Sequence, residues 1–291
     1  MGHYHYLLTG LPALSLDDAK KTWTVAEFKA EMEPMLSASD KKLVRWIFYI
    51  YDNLNLLASL RKKADAEFDD RGVYTAEEIT EICHLLYTED RVPPRIPTPD
   101  YVVSFVRNFY IRQEEADNQE MDGLLEDSLS ALYYNEAMRC QNEFLSAWFE
   151  LNLNIRNVML SVNCRKYGLE KNDYIVGNND MAEYLRQWGS RDLNFSDAPA
   201  YLQELLQISE EPDLLVRERK TDALRWQWLE DRTFYKTFDF ESVMAYLLRL
   251  EILERWMALD KALGEKTFRR LVTDMKRESA NTLEEFKENN K

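Results

Sequence analysis

Few side chains in this chain stand at spacings that do chemistry. Glu81-Ile-Cys-His84 is an E-x-x-H, half of the pattern that holds a di-iron pair inside a helical bundle. That chemistry needs a second E-x-x-H and two further carboxylates on facing helices, and no second copy occurs. The other histidines, His3 and His5, lie in the opening segment. Cys83, Cys140 and Cys164 are widely spaced and form no C-x-x-C, the usage of free thiols in a reducing compartment. The chain has no H-E-x-x-H, no G-x-S-x-G and no phosphate-binding glycine loop, and Gly177-Asn-Asn-Asp reads as a turn into a helix cap. The expectation is a protein without catalytic residues, metal or cofactor, and not an enzyme. Arg156 and Arg255 are different: each falls on or beside the apolar stripe of a long helical pattern. Such an arginine either snorkels to water beside a neighbouring Glu, or contacts a partner protein or another lobe.

The elements that carry these residues are helices. Only 8 of the 291 residues are Gly and 8 are Pro, so backbone breakers are scarce. Residues 4 to 14 form a short apolar run ending in Gly and Pro, expected as a strand-like or irregular arm. Thr24 with Glu27, and Thr75 with Glu78, read as capping boxes that open helices. Ser39 is expected to cap a helix over 41–61 whose apolar stripe includes Leu43, Trp46, Ile47, Ile50, Leu54 and Leu57. Residues 91 to 99 hold four prolines and read as an extended linker. From about Leu124 to Tyr167 the helical spacing continues with no Gly or Pro. Unbroken, about 43 residues would make a rod of roughly 65 Å, and the alternative is a break near Asn152–Asn154. Later helices are expected from Asp180 to Trp188, from Ser196 to about Glu211, from Asp213 to Lys236, from Phe240 to Leu263, and over 265–288.

The formal net charge of −15 argues against nucleic acid as a partner, since phosphates need a basic surface. No apolar run approaches the length of a membrane span, and the opening residues lack the pattern of a signal peptide. A cytoplasmic location is expected, with the inner membrane face reached only through partner subunits.

Self-similarity then organises the chain. Asn53-Leu-Asn55 recurs as Asn152-Leu-Asn154, an offset of 99, and the same step again reaches Glu251-Ile-Leu253. Tyr49, Trp148 and Leu247 correspond at that offset, and Gly72, Gly168 and Gly264 close the three segments. The stretches that carry the pattern are Asp52-Asn-Leu-Asn-Leu-Leu, then Asn152-Leu-Asn-Ile-Arg156-Asn through Cys164-Arg-Lys-Tyr-Gly168, and Tyr246-Leu-Leu-Arg-Leu-Glu-Ile-Leu-Glu-Arg255-Trp. They resemble the C-type subunits of V/A-type rotary ATPases, called d-type in eukaryotes. The opening Tyr4-His-Tyr-Leu-Leu-Thr-Gly-Leu-Pro-Ala-Leu resembles more closely an uncharacterised bacterial family found with V/A-type ATPase components. The third copy lacks both asparagines, and residues 180 to 235 show no strong match.

The resemblance implies an all-α, elongated multi-helix protein with three related lobes about a pseudo-threefold axis, divided here as 1–99, 100–195 and 196–291. It also implies a non-catalytic spacer that forms a socket between the central shaft and the membrane rotor ring. Asn53, Asn55, Asn152, Asn154, Arg156 and Arg255 are the candidate partner or inter-lobe contacts. The alternative is a helical adaptor that binds protein partners outside a rotary ATPase; adaptor repeats are shorter, about 34 to 47 residues.

Overall fold

The structure is a computed structural model, and it describes residues 4–16, 23–61, 67–115, 122–187 and 198–260. The expected helix over 265–288 and the Ser196 helix start lie outside those residues. The described chain is helical throughout, with no strand. Its elements are α1 (His5–Thr9), α2 (Val25–Met32), α3 (Ala38–Leu60), α4 (Ala76–Thr88), α5 (Asp100–Glu115), α6 (Asp122–Ala137), α7 (Glu143–Tyr167), α8 (Asp180–Gln187), α9 (Leu202–Ser209) and α10 (Leu214–Thr233), followed by α11 over 240–260.

Local chemistry explains most of the boundaries. The Thr24 and Thr75 hydroxyls accept from the Glu27 and Glu78 amides, and each Glu carboxylate accepts from the capping residue's own amide, so both boxes are complete. Asp213 caps α10 through the Val216 amide, and Asp239 caps α11 through the Ser242 amide. Gly168 ends α7 at φ +67°, a left-handed cap that needs no Cβ.

Several expectations change. The opening arm contains a helical turn, α1, with Leu7 buried. Ser37, not Ser39, caps α3 by accepting from the Asp40 amide. Asn179, not Asp180, caps α8 through the Ala182 amide. The proline stretch is not a free linker: Ile96 donates to the Pro93 carbonyl in a tight turn, Ile96 and Pro93 are buried, and the Tyr74 hydroxyl donates to the Pro97 carbonyl. The long rod does not form either, because the helix stops at Ala137 and restarts at Glu143. Asn142 caps the restart through the Leu145 amide, and the Ser146 hydroxyl donates to the Met138 carbonyl across the break. Side chains with good caps thus interrupt a segment free of Gly and Pro, while Asn152 and Asn154 sit inside an unbroken α7.

One apolar core runs through all the long helices. Ring contacts trace it: Trp46 of α3 lies 6.0 Å from Tyr101 of α5 and 6.4 Å from Tyr133 of α6, and Tyr133 lies 5.9 Å from Phe149 of α7. Elsewhere in the core, Phe28 of α2 lies 4.9 Å from Tyr246 of α11. Aromatic pairs of this kind add directional preference to burial, which fixes how the helices cross. The α3 stripe is rotated from the expected one. Val44, Ile47 and Phe48 are buried, whereas Ile50 and Leu54 are 43% and 53% exposed. No helix among the described residues is long and apolar enough to cross a membrane.

Candidate functional site

The polar residues buried along α3, α7 and α10 are the natural place for function, because polar groups enter a core only where something satisfies them. In α3, Asn55 donates its Nδ2 to the Asp69 carbonyl at 2.8 Å and accepts from the Asp69 amide at 2.9 Å. One turn earlier Asp52 accepts from the amides of Val73 and Tyr74 at 2.8 and 3.1 Å. These bonds pin the 69–74 loop along the helix and deliver Thr75 to start α4. Gly72 is required there, since a Cβ at that position would collide with the Asp52 carboxylate.

In α7 the same device recurs. Asn157 donates to the Val176 carbonyl at 2.7 Å and accepts from the Val176 amide at 3.0 Å, pinning the loop that leads to α8. Gly177 has φ +81°, and a Cβ there would come within 2.8 Å of Leu153. A second correspondence sits at the next helices. The Tyr101 hydroxyl, two residues after Pro99, donates to Asn53 Oδ1 at 2.9 Å. The Tyr201 hydroxyl, two residues after Pro199, accepts from Asn154 Nδ2 at 2.8 Å. The amide pins Asn55 and Asn157 are therefore offset by 102 residues, not the 99 expected from the Asn-Leu-Asn match.

All four sequence-chosen asparagines are engaged within the chain. Asn53 accepts from Tyr101, Asn55 holds Asp69, and Asn154 also accepts from Asn179 Nδ2 at 2.8 Å. Asn152 donates to the Trp148 carbonyl and accepts from Arg225 Nε at 2.9 Å. The bonds of Asn53, Asn152 and Asn154 cross the divisions drawn at residues 99 and 195, and those of Asn55 do not. Arg156 is paired with Asp127 of α6, and its Nη1 is buried with no hydrogen-bond partner. Arg255 is paired with Asp222 of α10 and lies 3.5 Å from Glu218. Each arginine thus ties its long helix to the helix before it.

Sequence reasoning passed over the two most consequential carboxylates. Asp222 is 1% exposed and accepts from Arg225 Nη1 at 2.7 Å, from Trp256 Nε1 at 2.8 Å and from Arg255. Glu251 of α11 accepts from the Tyr51 hydroxyl of α3 at 3.2 Å, and burial pushes its pKa up to about 7. Burial likewise raises Asp52 to about 6, against the lowering effect of its two amide donors. The i, i+3 recurrence of Asp52 and Asn55 within an apolar helix was a local signal, Glu251 stood out only as the third-copy counterpart of Asn152, and nothing marked Asp222 among many solvated acids.

The groups able to do chemistry are dispersed. Cys83 and His84 line a cavity of about 510 Å³ beside α5, and burial pushes the Cys83 thiol up to about 11, so the nucleophilic thiolate is disfavoured. Glu81 is exposed. Among the described residues no group of three or more His, Cys, Asp and Glu side chains could hold a metal ion.

No curated protein and no solved structure matches the chain. A family model described as a protein of unknown function, DUF2764, matches residues 1–279. With nearly the whole length matched, from the opening segment through α3, α7 and α11, the chain belongs to the DUF2764 family.

Proposed function

We propose that this chain is a non-catalytic spacer of a V/A-type rotary ATPase, seated between the central shaft and the membrane rotor ring. The observation that supports this reading is the repeated unit. A long helix, a loop pinned back on it by a buried Asn, a capped helix and a Pro-x-Tyr helix start occur once from α3 to α5 and again from α7 to α9. The unit recurs at about 100 residues, far above the 34 to 47 of common helical adaptors. The fold class agrees with the resemblance carried by the three long-helix stretches. A part that transmits torque needs stiff helices locked to one another, and it needs no reacting group. Three related lobes, at 1–99, 100–195 and 196–291, belong to the same proposal.

The test is co-purification of the tagged chain with a separately produced shaft protein and with a detergent-solubilised rotor ring from the same genome. Retention of both is expected. Leu54→Glu changes an exposed apolar residue of α3 and serves as the surface probe: loss of retention with unchanged melting is the expected result. Failure of the folded wild-type chain to retain either one would reject the proposal in favour of an adaptor outside the ATPase.

A further inference from the structure

The chain has 52 acidic and 37 basic residues, so a pocket whose charged lining is mainly cationic is unexpected. Such a pocket lies between the end of α2, the first turns of α3 and the Gly72–Val73 turn. It is a cavity of about 260 Å³ lined by Lys29, Lys41 and Arg45, with Glu33 as the one carboxylate of the lining and with Phe48 and Val73 as apolar surface. Lys29 is half-buried, and its ammonium stands 4.0 Å over the Phe48 ring. Burial pulls its pKa down, against the raising effect of the nearby Glu33, Asp52 and Glu251 carboxylates. Among the described residues none of the three cations forms an ion pair, whereas Arg71, Arg91, Arg107 and Arg156 each do. Three cations against one lining carboxylate leave a positive excess that the Asp52 and Glu251 charges behind Lys29 offset only in part, and a partly dehydrated ammonium adds to that cost. An anion in the cavity relieves both.

We propose that this pocket binds the phosphoryl group of a small phosphomonoester. A phosphoryl group offers three terminal oxygens to three cationic donors, with Arg45 acting as a fork and the two lysines as point charges. Phe48 and Val73 give a short organic remainder an apolar surface. Glu33 accepts from a hydroxyl of that remainder and disfavours a second anionic group. The volume lies below the roughly 300 to 1,000 Å³ of sites for drug-sized ligands, which selects a compact ester over a nucleotide. The same chemistry is met in a soluble ester and in a phosphatidic acid headgroup.

Calorimetric titration of the full chain at low salt with inorganic phosphate and with glycerol 3-phosphate tests the site. Flotation with phosphatidic acid vesicles, against phosphatidylcholine vesicles, identifies the source. Each of Lys29→Met and Arg45→Gln is expected to weaken binding by ~10-fold, about one ion pair's differential contribution. Lys29→Met keeps a flexible stem over Phe48, so it should melt no lower than wild type. Arg91→Gln, an exposed cation elsewhere, should leave binding unchanged. Heat from the soluble anions that the double variant loses supports a free ligand. Flotation lost in the double variant, with no heat from soluble anions, supports the headgroup. No heat and no flotation, or binding undiminished in the folded double variant, overturns the proposal.

Discussion

Glu251 and Asp52 are acids held in the part of the core where protonation is favoured. Glu251 moves from an ordinary 4.5 to about 7, and Asp52 from 3.8 to about 6. Because the folded values lie above the unfolded ones, the folded chain binds more protons at intermediate pH. Stability is therefore fullest below the unfolded values and falls as pH rises through the folded ones. For Glu251 the window is about 4.5 to 7. Glu251→Gln keeps an acceptor for the Tyr51 hydroxyl and removes the ionisation. At pH 8 it should stabilise the protein by about 2 kcal/mol in denaturant titration, and flatten the pH dependence across the window. A variant no more stable than wild type at pH 8 would show that the carboxylate is solvated in the folded state. These residues were not legible in the sequence because what distinguishes them is the company they keep. Tyr51 and Glu251 are 200 residues apart, and Asp222 meets Trp256 across 34.

At the scale of elements, the legible features were those written within four residues of one another. The Thr24 and Thr75 boxes, the Asp213 cap and the Gly168 stop each name their boundary by residue type. The break at 138–142 did not, since Met138-Arg139-Cys140-Gln141 contains no breaker and the interruption depends on Asn142 and Ser146 finding backbone partners. The exposed Ile50 and Leu54 misled for a related reason: spacing gives a stripe but not which of two adjacent stripes faces inward. The loop pins are the elements' strongest dependency. Asn157 is fully buried, and Asn157→Ala would strand the Val176 amide and carbonyl. A loss of about 3 kcal/mol is expected, with faster hydrogen exchange at Val176. Asn152→Ala, which removes bonds to Trp148 and Arg225 on a half-buried side chain, should cost about 1 kcal/mol. Equal losses in the two variants would remove the special role of the pin.

Across the whole molecule the helices share a single core, and the residues that fill it come from every part of the described chain. Trp46 and Tyr49 of the first hundred residues pack on Tyr101 from beyond them, at 6.0 and 6.3 Å. Calorimetry should accordingly give one cooperative unfolding transition, and a fragment of residues 1–99 should lack a dispersed spectrum by NMR. Two resolved transitions, or a folded fragment, would show that the lobes are energetically separate. The all-helical class was readable from the scarcity of breakers and the capping boxes. The repeat was readable only in outline, because the letters match at 99 whereas the hydrogen-bonding residues correspond at 100 to 102.

The contact between α2 and α11 sets the order in which this chain can be completed. Phe28 rests on Tyr246, the Tyr246 hydroxyl reaches the Pro12 carbonyl 234 positions away, and the His5 ring lies 4.3 Å from Phe238. During synthesis the early segment leaves the ribosome long before its resting place exists. Its apolar side chains wait in solution while some two hundred residues are added, for about 10 to 40 s at usual elongation rates. Closure joins the two ends of the described chain, and until then Phe28 and the His5 ring are surfaces on which a chaperone, or another unfinished copy, can act.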